Sequence, residues 1–148
     1  MKALIQRVDR AHVSVAGDVV GSTGPGMLIL LGVGQGDDET DAGWMAAKCA
    51  NLRIFDDREG RLNLSLLETG GGALVVSQFT LFADVRKGRR PSYTDAAEPG
   101  KALRLFEVFC QKLGEEGVEV EMGSFGERMK VELINDGPVT LMVETPQK

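Results

Sequence analysis

The chain opens on a period of two. From Lys2 to Val15 β-branched residues are frequent, and the alternating pair Val13 and Val15 suits a half-buried strand. Ala16-Gly17-Asp18 reads as a hairpin turn and Val19 to Ser22 as the return strand. Gly24-Pro25-Gly26 breaks the pattern, and Met27 to Val33 is a continuous apolar run of the length of a fully buried strand. The period then changes. Met45, Cys49 and Leu52 recur at helical spacing behind the acidic stretch Asp37 to Asp41, which predicts a helix over 39–52 with a favourable N-terminus. A surface turn at Asp56 to Gly60 leads to a short strand, Arg61 to Leu67, a glycine loop at 70–72 and a buried strand, Ala73 to Gln78. Phe79 to Tyr93 reads as irregular. Pro99-Gly100 opens a second helix whose apolar face is Ala102, Phe106, Phe109, Cys110 and Leu113, and Gly114 and Gly117 end it. Three further strands follow, Val118 to Met122, Lys130 to Ile134 and Val139 to Val143. Asn135-Asp136-Gly137-Pro138 reads as the turn between the last two.

The order β-β-β-α-β-β-α-β-β-β, with hairpin turns joining many strands, predicts an α/β chain of the α+β type. The expected core is a mainly antiparallel, barrel-like sheet with two main helices, in a single domain over 1–148. The 148 residues suffice for one core that buries roughly 68–70% of the unfolded surface. Hydrophobic residues make up 43% and charged residues 26%, which excludes a disordered chain. The longest aliphatic run is far short of the about 20 residues of a membrane span. Polar residues from Gln6 interrupt any signal-like start, so the expectation is a cytosolic protein with no membrane partner. The two cysteines, Cys49 and Cys110, fall in predicted helices and read as buried reduced thiols. A single histidine, His12, excludes a His-rich zinc site; no metal and no cofactor are expected.

Candidate chemistry is sparse. A Ser-His or Cys-His site would need His12, which sits in a predicted strand, and no nucleophile elbow or P-loop pattern is present. Gly32-Val33-Gly34-Gln35-Gly36 lies where a dinucleotide fingerprint would, but Asp37 stands at the third glycine and would repel a pyrophosphate. Arg86-Lys87-Gly88-Arg89-Arg90 sets four cations in five residues of a chain whose net charge is −5. It is either a solvated loop or one focused phosphate contact. Ser77-Gln78-Phe79-Thr80-Leu81 ends a buried strand, where its polar side chains either cap the strand or line a pocket. In Asn135-Asp136-Gly137-Pro138, the Gly-Pro bond is one that can be cis at modest cost.

The two last segments, with Val139-Thr140, resemble the two signature motifs of the D-aminoacyl-tRNA deacylases. The opening Met1 to Val8 and the basic segment 86–92 are similar to that family as well, and the resemblance runs end to end. It implies hydrolysis of the ester between a D-amino acid and the terminal ribose of tRNA, and of mischarged glycyl-tRNA. It implies a cytosolic homodimer with the active site at the interface. Ser77, Gln78, Phe79 and Thr80 would carry the pocket floor. Gly137-Pro138, cis, would reach into the other subunit's pocket and reject L-amino acids. Arg7 would pack beside that turn and hold its carbonyls, the alternative being a surface strand arginine. Phe125 and Met129 would line the pocket. Arg86, Lys87, Arg89 and Arg90 would meet tRNA; DNA is not an expected partner.

These implications are physically coherent. A rigid backbone wall placed where every L side chain must go rejects all of them at once, and admits glycine. An aminoacyl ester is activated, so backbone amides near Phe79 and Thr80 can supply much of what catalysis needs. Water would be activated either by Thr80 or by the ribose 2′-hydroxyl. Two other readings stand beside this one: a non-catalytic RNA-binding dimer, and a general serine or threonine esterase.

Overall fold

A computed structural model describes residues 1–148. The elements are β1 (Lys2–Val15), β2 (Asp18–Thr23), β3 (Gly26–Gly32), α1 (Glu39–Asn51), β4 (Phe55–Asp56), β5 (Leu62–Leu64), α2 (Leu66–Thr69), β6 (Gly72–Ser77), a 3-10 turn (Phe79–Phe82), α3 (Pro99–Glu115), β7 (Glu119–Met122) and β8 (Lys130–Glu144).

β1 organises the sheet. Its first half pairs with β3 and its second half with β2, while β8 runs along its whole other edge; all three pairings are antiparallel. β6 then joins β3, and β7 joins β6, in parallel. Parallel neighbours need crossovers. One crossover runs through α1 and the other through α3. The sheet is therefore mixed, with its antiparallel part gathered around β1. It also curls: a Cβ placed on Gly21 of β2 would lie 2.5 Å from the carbonyl oxygen of Met122 in β7. This close approach makes the sheet nearly barrel-shaped, and only a residue without a side chain permits it.

The continuous apolar runs are explained by burial on both faces. Ile29, Leu31, Ala73 and Val75 face the helices, in a core of 22 buried residues that includes Met45, Cys49, Leu105 and Phe109. Their strand neighbours Leu28, Leu74 and Val76 point the other way, into a smaller cluster with Val8, Ala11 and Val13. α1 begins on a capping box formed by Asp38 and Asp41, as its acidic approach predicts. Both cysteines are buried and free. Burial pushes both thiols up to about 12.

Three expectations are corrected. The predicted strand over Arg61 to Leu67 is cut short, because Ser65 caps a single helical turn, α2, through a capping box with Glu68. β4, the short partner of β5, was not foreseen. The predicted hairpin at Asn135–Pro138 is absent. Lys130 to Glu144 is one strand, and the register steps from Val8↔Asn135 to Gln6↔Thr140. Residues 136–139 thus bulge out opposite Arg7 alone. Local turn chemistry is real there, but a 14-residue partner strand holds both flanks in line.

Candidate active site

β6 is buried along its length and surfaces at Ser77. Gln78 continues the pairing for one step, its amide donating to Leu31 O at 2.8 Å. The chain then tightens into the 3-10 turn, with Leu81 N on Gln78 O at 3.3 Å and Ala83 N on Thr80 O at 3.0 Å. The amides of Phe79 and Thr80 open this turn, where no carbonyl within it is placed to receive them. The Gln78 side-chain amide donates to Thr80 Oγ1, the hydroxyl's one side-chain partner. Behind the turn, the Phe82 ring packs on bare backbone: a Cβ on Gly34 would lie 2.9 Å from it. The glycines at 32 and 34, spaced like part of a nucleotide fingerprint, are thus seats for an aromatic ring.

Beside the turn lies a cavity of about 410 Å³ with mostly apolar walls, including Leu31, Val33, Phe79, Tyr93, Phe106 and Phe125. Phe79 is half exposed and meets Tyr93 edge-on at 5.1 Å. Phe125 rests against Phe106, with ring centroids 6.0 Å apart. Phe125 therefore lines this cavity. Met129 does not: it packs on the smaller cluster inside the curled sheet, against Gly123. Tyr93 was not anticipated. Its only sequence signal is an aromatic residue shortly after the basic run.

Gly137-Pro138 is cis and exposed, with Gly137 at φ +123°. A Cβ on Gly137 would meet an Arg7 nitrogen at 2.9 Å. Arg7 is 6% exposed, which removes the reading of a surface strand arginine. Its guanidinium donates to Asp136 O at 3.1 Å, Ile54 O at 2.9 Å and Asp56 Oδ1 at 3.2 Å, and lies 3.3 Å from Asp136 Oδ2. The planar fork of an arginine suits this convergence; a lysine would not span it. From the other side Asn135 donates to Arg7 O at 3.2 Å and Val139 O at 3.0 Å.

One chain does not bring the two motifs together. Ser77 pairs beside Leu31, whereas Arg7, opposite the bulge, pairs with Met27 at the other end of β3. Four residue steps separate Leu31 from Met27, about 13 Å of strand.

The basic segment follows the 3-10 turn on an exposed loop. Reciprocal backbone hydrogen bonds of Asp84 with Ser92, at 2.7 and 2.9 Å, close the loop. Arg86 is clamped on Asp84 at 2.7 and 2.9 Å, and this hydrogen-bonded pairing holds the Asp84 carboxyl well below the usual carboxylate range. Lys87, Arg89 and Arg90 form no ion pair. His12 is half exposed and sits 3.1 Å from Glu132, with no part in the Ser77–Thr80 segment.

Comparison with known proteins identifies the family. The family model described as D-Tyr-tRNA(Tyr) deacylase matches residues 4–144. The D-aminoacyl-tRNA deacylase of Roseiflexus sp. (strain RS-1) is 57% identical over 145 residues, covering 98% of this chain and 94% of the relative. That of Myxococcus xanthus (strain DK1622) is 55% identical, covering 99% and 95%. Among solved structures, the c-Myc DNA Unwinding Element Binding Protein superposes with a TM-score of 0.93 at 36% identity, covering 99% of this chain and all of that one. The match over nearly the whole chain means that the chain belongs to the D-Tyr-tRNA(Tyr) deacylase family, and that its activity is hydrolytic: the deacylation of D-aminoacyl-tRNA.

Proposed function

We propose that the chain removes D-amino acids and glycine from tRNA, and spares L-amino acids through the backbone at Gly137-Pro138 of a second copy. The separation of the two motifs within one chain carries this reading. A pocket floor at one end of β3 and a rigid wall at the other make one site only when a second subunit supplies the wall. The outer edge of β8 supports the second copy. It pairs with no strand, and Val131, Ile134 and Met142 stand exposed along it.

In this reading the terminal adenosine of tRNA approaches the floor at Ser77 to Thr80, beside the apolar cavity. Water attacks the ester carbonyl, and the Phe79 and Thr80 amides receive the developing oxyanion. Collapse of the tetrahedral intermediate breaks the C–O bond, and the ribose oxygen leaves with a proton. Thr80 is a poor nucleophile here: no base touches its hydroxyl, which accepts a hydrogen bond from Gln78. The ribose 2′-hydroxyl is better placed by its own chemistry to orient the water. An L side chain would collide with the Gly137-Pro138 backbone, which Arg7 and Asn135 hold from two sides. Glycine has nothing to collide and is hydrolysed.

Lys87, Arg89 and Arg90 supply the phosphate contact. A single basic loop on a chain of net charge −5 suits one bend of tRNA better than a tract of duplex DNA. The substrate makes the cytoplasm the place of action.

The test uses one tRNA charged separately with D-tyrosine, L-tyrosine and glycine, with ester loss followed at catalytic enzyme concentration. Fast loss of the D and glycyl esters with the L ester spared is expected. Equal loss of D and L esters would discard the backbone filter while leaving the deacylase.

A further inference from the structure

A backbone wall can discriminate only if its position is fixed to a fraction of an ångström, and a bulge has lost the ladder hydrogen bonds that would fix it. Opposite residues 136–139, the carbonyls of Arg7 and Val139 have no regular cross-strand partner in the register. Both are taken by one side chain. Asn135 Nδ2 donates to Arg7 O at 3.2 Å and to Val139 O at 3.0 Å. Two carbonyl acceptors fix the amide's orientation, because only the NH2 end can serve both. The arrangement is reciprocal: the Arg7 side chain holds the carbonyl of Asp136, and the Asn135 side chain holds the carbonyl of Arg7. Arg7 grips the first residue of the bulge, and Asn135 ties its last residue back to the strand.

We propose that Asn135 is a specificity-setting positioning residue. Its carboxamide closes the base of the 136–139 bulge and thereby holds the Gly137-Pro138 backbone where it excludes L-aminoacyl esters. This rests on the reading of that backbone as the chiral wall. Asn135 touches no reacting atom. Its loss should loosen the wall more than it slows the chemistry, because both of its donors are spent on the carbonyls of Arg7 and Val139 and neither serves the Phe79 and Thr80 amides.

Asn135→Asp keeps the shape and removes both donors, turning a carboxylate toward two carbonyls. Asn135→Ala removes the group without adding charge. For each variant, kcat/KM is measured on D-tyrosyl- and L-tyrosyl-tRNA, with a urea melt to verify folding. The expected result is a fall in the D-to-L preference of about tenfold or more, the worth of a lost net hydrogen bond or two. The fall should come from a gain in L-ester hydrolysis. Glu132→Gln, on the same strand but away from the bulge, should keep the wild-type preference. Folded variants that keep that preference, or that lose D and L activity in equal proportion, would overturn the role of Asn135. A wild-type enzyme that already hydrolyses the L ester as fast as the D ester would instead overturn the wall itself. Should both variants fail to fold, Asn135→Ser, whose hydroxyl can reach one of the two carbonyls, should show an intermediate preference; an unchanged one would count against the proposal.

Discussion

The strand-end floor at Ser77 to Thr80 and the bulge at Gly137-Pro138 solve opposite problems with the same material. At the strand end, the amides of Phe79 and Thr80 open a 3-10 turn, which in the proposed reading leaves them for the oxyanion, and the side chains are a threonine, a glutamine and a phenylalanine beside an apolar cavity. At the bulge, the carbonyls of Asp136 and Val139 at its two ends are tied down, the first by an arginine that is 6% exposed and the second by Asn135. In the proposed reading the first follows a changing geometry during reaction, and the second acts as a wall that must stay in place. Most of the side-chain hydrogen bonds accordingly gather at the bulge and not at the strand end.

Removing the tie is the hardest test of that contrast. Arg7→Ala strips the partners from Asp136 O and Ile54 O and leaves a void; stability should fall by about 3 kcal/mol, read by urea denaturation. Arg7→Lys should recover less than half of the loss. If Arg7→Ala melts like the wild type, the bulge is not held from that side.

Next comes Gly137→Ala. The new Cβ would press on Arg7 at 2.9 Å, at a φ of +123° that an alanine tolerates poorly. The expected cost is about 1–3 kcal/mol, with a displaced wall and a lowered D-to-L preference. A variant as stable and as selective as the wild type would show that the wall has slack.

At the floor the effect should be smaller. Thr80→Ala is expected to lower kcat by about tenfold or less, since it removes one hydrogen bond of Gln78 and no base. A loss above about 10³-fold with tRNA binding intact would make Thr80 the group that activates water. A tRNA ending in 2′-deoxyadenosine should meanwhile be a poor substrate.

The smallest effects belong to the basic loop. Neutralising Lys87, Arg89 or Arg90 should each reduce the slope of log K against log salt by about 0.7–0.9. Arg86→Ala should change it less, because Asp84 already balances that charge. The Asp84 carboxyl is depressed in the folded state, so the clamp is fully present above the ordinary carboxylate value. It is lost only as pH falls below that value toward the folded one. Carbon NMR of the aspartate side chains between pH 2 and 6 should find Asp84 ionised throughout most of that range.

Much of this was legible along the chain. β1, β2, β3, both long helices, β6 and β7 follow from apolar periodicity and from glycine, proline and acidic punctuation, which are local signals. The strand-end motif was legible as a polar segment after a buried run. Phe125 lines the apolar cavity and Met129 packs on the smaller cluster, a difference not legible in sequence because proximity along the chain says nothing about which face of a curled sheet a side chain enters. Tyr93 and Asp84 left almost no local trace, since their roles depend on what the loop folds against.

The sequence by itself determined which segments could be buried, where the chain could turn, and that any histidine-based chemistry would have to use His12. The tertiary structure decided the rest. It turned a perfect hairpin signal at Asn135–Pro138 into a bulge, because fourteen residues of β1 hold both flanks and outweigh four residues of turn preference. It also buried Arg7, because only the bulge, Ile54 and Asp56 together offer enough acceptors to keep a guanidinium out of water.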